Sequence, residues 1–166
     1  MSLSCSFDTA RLRCRPLIPS DFGAFSTIVS SESDIYNYLF DNNTNINLLD
    51  FYSSVVTQHS QINVGIFSKS TSAMVGCILG KLSSPTQLSV RIFISQSFRS
   101  ENFAYEALSA YAFSVSHFTI ETLKFVIKSD NIAAKSLLNK FSYSKKLEEF
   151  ADKKTGDLFE VYQICQ

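Results

Sequence analysis

Few of the residue patterns that mark covalent or metal chemistry occur in this chain. G-x-S-x-G, H-E-x-x-H, the P-loop and G-x-G-x-x-G are all absent. Cys5, Cys14, Cys77 and Cys165 form no C-x-x-C pair, and His59 and His117 lie far from them along the chain, so no zinc spacing exists and no metal is expected. The cysteines read as small apolar fillers or free thiols, and His117 as a favourable charge at a helix C-terminus. What remains is positional. A strand ending at Ile94 runs through the short connection Ser95 to Asn102 into a helix starting at Phe103. Such a junction aims unpaired backbone N–H groups at whatever precedes the helix, and it attracts phosphate.

The elements that hold this junction follow from side-chain periodicity. Residues of one class recur every second position at Leu12 and Cys14, in the hairpin Ile62 to Ile66 and Met74 to Leu82, at Leu88 to Ile94 and at Leu123 to Ile127, which predicts half-buried strands. Apolar runs at Tyr143 to Phe150 and Leu158 to Ile164 read as closing strands. Helical stripes occur at Ser20 to Val29, Asn47 to His59, Phe103 to His117 and Asn131 to Phe141, the last with Asp130 or Asn131 as cap. Ser30 to Asp34 and Asp41 to Asn47 read as loops. With no linker or repeat, residues 1–166 are expected to form a single mixed α/β domain.

Composition narrows the function classes. The 166 residues are 45% hydrophobic, and 15 basic residues cancel 15 acidic ones, so no bulk electrostatic grip on nucleic acid or anionic membrane is expected. The longest apolar or glycine run, Ala73 to Gly80, is far below the ~20 residues that span a bilayer. With neither a signal peptide nor a disulfide pattern, a cytoplasmic protein is expected. Charge is uneven along the chain. Pro16 to Ser68 holds no Lys or Arg but five acids, Asp21, Glu32, Asp34, Asp41 and Asp50, whereas Glu121 to Lys154 holds eight lysines against five acids. Asp21 and Asp50 read equally well as helix-cap or solvated residues. The aromatic residues Tyr36, Tyr38, Phe40, Phe51 and Tyr52 crowd the acidic stretch and are expected mainly in the core.

Three segments carry a family resemblance over most of the chain. Thr9-Ala-Arg-Leu-Arg-Cys-Arg-Pro-Leu-Ile-Pro-Ser-Asp21 resembles a first strand and entry to the first helix, and Arg99-Ser-Glu-Asn-Phe-Ala-Tyr-Glu-Ala-Leu108 a pyrophosphate loop, Q/R-x-x-G-x-G/A, followed by a helix. Ser129-Asp-Asn-Ile-Ala-Ala-Lys-Ser-Leu-Leu-Asn-Lys-Phe-Ser-Tyr143 is similar to an N-x-x-(S/A) helix ending in L-G-F. Together they resemble the GNAT family of N-acetyltransferases, in its branch of ribosomal-protein N-terminal acetyltransferases.

The resemblance implies a central, mostly antiparallel twisted sheet of about six or seven strands, with helices on both faces and a splayed strand pair. Acetyl-CoA, as co-substrate, would lie in that wedge, between the strand ending at Ile94 and the strand Leu123 to Lys128. Its pyrophosphate would rest on the backbone of Arg99, Ser100, Glu101, Asn102, Phe103 and Ala104, its pantetheine would pair near Phe93 and Ile94, and Asn131 would approach it. The basic excess of Glu121 to Lys154 would help with its phosphates or form a solvated face. The acceptor would be an amine, of a protein N-terminus or a small molecule, attacking directly with a main-chain N–H near Ile94 holding the oxyanion. Glu32 and Asp34, on the acceptor side, would favour a cationic amine. Proton transfer falls in relatives to a Glu, a Ser or a Tyr whose aligned residues here are Ser89, Ala134 and Leu138, and of these only Ser89 can hydrogen-bond. The resemblance leaves monomer and homodimer open.

Departures sit at the expected site. Ser100 and Asn102 replace two loop glycines and Ser142 the glycine of L-G-F. They keep their N–H donors but lose glycine's freedom at positive φ. A rival reading makes Ser100 and Asn102 ordinary helix-capping residues. Two rival functions accompany it: a domain of this fold that binds CoA or a partner without turnover, and an interaction domain without cofactor.

Overall fold

The computed structural model describes residues 3–41 and 43–166. Strands β1 (Phe7–Asp8) and β2 (Leu12–Arg15) lead through a 3-10 turn into helices α1 (Phe22–Ser31), α2 (Ser33–Phe40) and α3 (Leu48–Thr57). Then come β3 (Gln61–Ser68), β4 (Met74–Ser84), β5 (Gln87–Ile94), α4 (Phe103–Ser116), β6 (Thr122–Lys128), α5 (Ile132–Asn139), β7 (Ser144–Ala151) and β8 (Leu158–Cys165). All eight strands form one sheet in the order β1-β2-β3-β4-β5-β6-β8-β7. Among the described residues the only parallel strand pair is β5 with β6. The strand beyond the expected seven is β1, whose two residues are too short to show alternation.

Alternation along the strands divides the apolar residues between two cores. Ile62, Val64, Ile78, Leu88 and Val90 face α4 and α5, where Ala107, Leu108, Tyr111, Val115 and Leu138 cover them. Cys77, Leu79 and Phe93 face the other way, onto Phe25, Ile28, Val29, Ile35, Leu39, Tyr52 and Val55 of α1, α2 and α3. Tyr111 pins α4 to the sheet, its hydroxyl donating to the Ile62 carbonyl at 2.8 Å. Gly80 makes room for that hydroxyl, because a Cβ there would collide with it. Asn47 and Asn131 cap α3 and α5, accepting from the N–H groups of Asp50 and Ala134.

One expected loop is largely helix. Ser30 to Asp34 shrinks to Glu32, an extended residue (φ −116°, ψ 97°) between α1 and α2. Its conformation is held by partners more than sixty residues away, so the local Ser-rich composition misled. Of the other expected loop, Asn42 lies outside the described residues.

The parallel pair is brief. β5 and β6 match only at Gln87 with Thr122, Leu88 with Leu123 and Ser89 with Lys124. Beyond these, β5 stays on β4 as far as Ile94 and β6 stays on β8 as far as Lys128, leaving an opening between them. Among the described residues no helix is long and apolar enough to cross a membrane.

Candidate active site

Backbone polarity defines the opening. In an antiparallel pair, residues that exchange hydrogen bonds alternate with residues that direct both groups the other way. Ser95 donates to the Val75 carbonyl at 2.8 Å. Two residues back along the same register, Phe93 is opposite Cys77 and Arg91 opposite Leu79. These residues turn their main chains to β4, so Val90, Ile92 and Ile94 turn theirs to the opening. Phe93, expected near the pantetheine, gives its backbone to β4 and its ring to the second core, where it is 6% exposed, and the neighbouring Ile92 presents its main chain to the opening. The two-residue period on β5 groups alternate main chains, but only the hydrogen bond from Ser95 to Val75 decides which group faces β4.

The connection to α4 supplies donors. The N–H groups of Ser100 through Tyr105 have no partner among the described residues, and no side chain caps the helix. Ser100 (φ 70°) and Asn102 (φ 62°) both occupy the left-handed region, and Ser142 does not. Thus two of the three missing glycines fall where positive φ is required, at about 1–2 kcal/mol for an L-residue and less for Asn. Capping does not account for them. The Asn102 side chain accepts from the Lys140 ammonium at 2.7 Å rather than from its own helix. Arg11 donates to the Glu101 carbonyl at 2.8 Å and lies 4.4 Å from the centre of the Phe103 ring. Ala104 is half-buried in the first turn. A strained loop with six consecutive free donors, between Arg11 and Lys140, fits a diphosphate group. Asn131 stands at the start of α5, at the far end of β6, with its side-chain oxygen used in the cap.

The acidic residues expected on the acceptor side are largely neutralised. Glu32 accepts from the Ser95 hydroxyl at 2.7 Å and from the Gln96 N–H at 2.6 Å, and lies 3.4 Å from the Arg99 guanidinium. Arg99 also pairs with Asp34 at 2.8 Å and donates to the Ile94 carbonyl at 2.9 Å. Arg99 therefore ties the α1–α2 junction to the end of β5. Asp21 is held by Arg15 at 2.7 Å, and hydrogen bonds from that guanidinium keep its carboxyl below the usual range.

Tyr38, on α2, belongs to the aromatic group expected mainly in the core. It is half-buried, and both the Arg91 charge and the Ile92 backbone act on its hydroxyl. Burial pushes the phenol above its ordinary value, against the pull of the Arg91 charge and the Ile92 N–H, so it stays protonated. No local motif marks this residue; packing of α2 across β5 puts it there. Ala134 and Leu138, aligned with acid positions in relatives, have no proton to give, and Leu138 is buried. Ser89 is exposed at the last β5–β6 pair and lines a cavity of about 250 Å3 beneath α3. Among the described residues, no three His, Cys, Asp or Glu side chains cluster to hold a metal.

A family model for the acetyltransferase (GNAT) domain matches residues 11–143. Solved structures share the fold. A GNAT-family acetyltransferase from Bacillus anthracis is 16% identical with a TM-score of 0.80, covering 96% of this chain and 98% of that one. Spermidine N-acetyltransferase from Vibrio cholerae, in complex with CoA and spermine, is 12% identical with a TM-score of 0.80, covering 95% and 97%. The Salmonella typhimurium acetyl transferase that modifies the N-terminal serine of a 50S ribosomal subunit protein is 14% identical with a TM-score of 0.78, covering 95% and 96%. No curated protein matches the sequence. The splayed parallel pair, the donor loop before α4 and a family model spanning most of the chain agree, and the chain belongs to the GNAT acetyltransferase family.

Proposed function

We propose that this protein is an acetyl-CoA-dependent N-acetyltransferase that passes the acetyl group directly to an amine, of a protein N-terminus or a small molecule. The observation that carries the reading is the opening after Ser89 and Lys124, where the main chains of Ile92 and Ile94 face outward and lead to the free N–H groups of residues 100–105. Acetyl-CoA supplies the activated thioester. The loop donors hold its diphosphate end, and Ile94 aligns its extended arm alongside β5. The Ile92 N–H stabilises charge developing on the carbonyl oxygen.

Tyr38 is the proton donor in this reading. An amine must reach the carbonyl unprotonated, and a departing thiolate needs a proton. A phenol whose pKa burial has raised is protonated across the neutral range, and this one belongs to the helix that packs on β5 through the bond from Arg91 to the Leu39 carbonyl. Ser89 lies three residues before Ile92 on β5, about 10 Å along the strand, where it can hydrogen-bond the acceptor away from its reacting amine.

Calorimetric titration with acetyl-CoA, followed by thiol release across amines and peptide N-termini, tests the proposal. Binding together with release on at least one acceptor is expected. Tyr38→Phe is expected to keep binding and lower kcat by about 10²-fold, the usual scale of acid–base assistance. Binding without release on any acceptor would instead favour a CoA-binding domain without turnover, which the residues Ala134 and Leu138 would suit. No binding would remove the enzyme reading.

A further inference from the structure

The cavity beneath α3 carries a charge opposite to the one the acidic front segment led us to expect. Phe51, Ser54 and Val55 roof it, and Lys81, Arg91 and Lys124 are the charged residues among those that line it; no carboxylate does. Strand register explains the grouping. Lys81 is the β4 partner of Ser89 and Lys124 its β6 partner, so the two lysines flank Ser89 at about 5 Å on either side, the spacing of neighbouring strands. Arg91 follows on the same face and donates to the Leu39 carbonyl. Neither lysine, nor Arg91, has an ion pair among the described residues, although ten pairs are formed elsewhere.

Three cations around one cavity, with no counter-charge, repel one another and favour an anion between them. Lys124 is half-buried, which makes an unpaired ammonium there less favourable than on an open surface. The cavity adjoins the reaction site. Its rim includes Val90, and Ile92 lies two residues further on, about 7 Å along the strand. The lysines, level with Ser89, lie three residues or about 10 Å along the strand from Ile92, a gap that the acceptor's own side chain and the long lysine side chains span together.

We propose that the acceptor is an amine that also carries a carboxylate, held between Lys81 and Lys124 with Arg91 alongside. This rests on the acetyltransferase reading and gives it a substrate class. Two sources present this chemistry, a free amino dicarboxylate and a peptide whose second residue is acidic. Polyamines and basic peptides are disfavoured by the same charges.

The test compares glutamate with glutamine, and the peptides Ser-Glu-Ala and Ser-Gln-Ala, as acceptors. A carboxylate acceptor is expected to exceed its amide isostere in kcat/KM by about tenfold, the scale of a charge-assisted hydrogen bond. The double variant Lys81→Gln, Lys124→Gln should bring that ratio close to one, while the charge control Lys154→Gln, in an exposed turn, should leave it unchanged. Preference within the amino acid pair or within the peptide pair identifies the source. A binding arm does not depend on turnover: the acetylated products N-acetylglutamate and acetyl-Ser-Glu-Ala are titrated by NMR, with shifts expected at the amides of Ser89, Arg91 and Lys124 and absent with the amide isosteres. Equal turnover of acid and amide, or a ratio unmoved by the double variant, overturns the proposal and leaves the acetyltransferase reading standing. Carboxylate-specific shifts in a protein that fails to bind acetyl-CoA would support the anion site and defeat the enzyme reading. Absence of any shift with either carboxylate probe overturns the site.

Discussion

The acids of the front segment and the lysines at the cavity differ in what the fold has done with them. Glu32, Asp34 and Asp21 meet arginines, and Glu32 and Asp21 also bond backbone N–H groups, whereas Lys81 and Lys124 meet no opposite charge among the described residues. Three of the five acids in the stretch with the larger formal charge are thus paired, Asp41 and Asp50 forming no ion pair among the described residues, while the two lysines, inconspicuous in sequence, stand unpaired at their cavity. Net charge over a segment measures composition. The field at a site depends on which charges are left without partners.

That contrast predicts large stability effects on one side and small ones on the other. Glu32→Ala leaves the Ser95 hydroxyl, the Gln96 N–H and one side of Arg99 without their acceptor, which costs about 2–3 kcal/mol, or roughly 5–10 °C in Tm at this chain length. Calorimetry that found no loss would mean that Glu32 is not a structural acid. Asp21 gives a pH signature. Its folded pKa is depressed, so its contribution is present above the unfolded value of about 4 and disappears as pH falls through the folded value. Denaturant melts should show the native protein losing stability below about pH 4 more steeply than Asp21→Asn.

The donor loop belongs with the open side of the comparison, and its strain is measurable. Ser100→Gly removes a left-handed penalty of about 1 kcal/mol and should raise Tm by about 2–4 °C. Ser142→Gly relieves nothing, since Ser142 is not at positive φ. Equal gains at both positions would show that the φ difference is not what matters. The smallest effect is expected from Lys81→Gln and Lys124→Gln, each within about 0.5 kcal/mol of the parent by thermal melting, as for residues away from structural contacts. A large loss there would make the lysines part of the fold and erase the contrast.

Much of the framework was legible because it is local. Five strands and four helical stretches announce themselves through periods of two and 3.6, two closing strands through apolar runs, and the strand-to-helix junction at Ile94 to Phe103 follows from their order. Sequence identified Ser100, Asn102 and Ser142 as replacements, and the backbone separated them, two at positive φ and one not. Glu32 could not be read this way, since its conformation depends on Ser95, Gln96 and Arg99. Tyr38 was indistinguishable from its aromatic neighbours until α2 was laid across β5.

By itself, then, the sequence determined the order of the elements other than β1 and α2, their buried faces and the strand-to-helix junction before α4, because backbone geometry and side-chain alternation act between near neighbours. Tertiary structure alone decided which strands part, which main chains face the opening, and which charges are paired. Those outcomes depend on strand register and on contacts between residues such as Glu32 with Arg99 or Lys81 with Ser89, which lie far apart along the chain and meet only when the sheet closes.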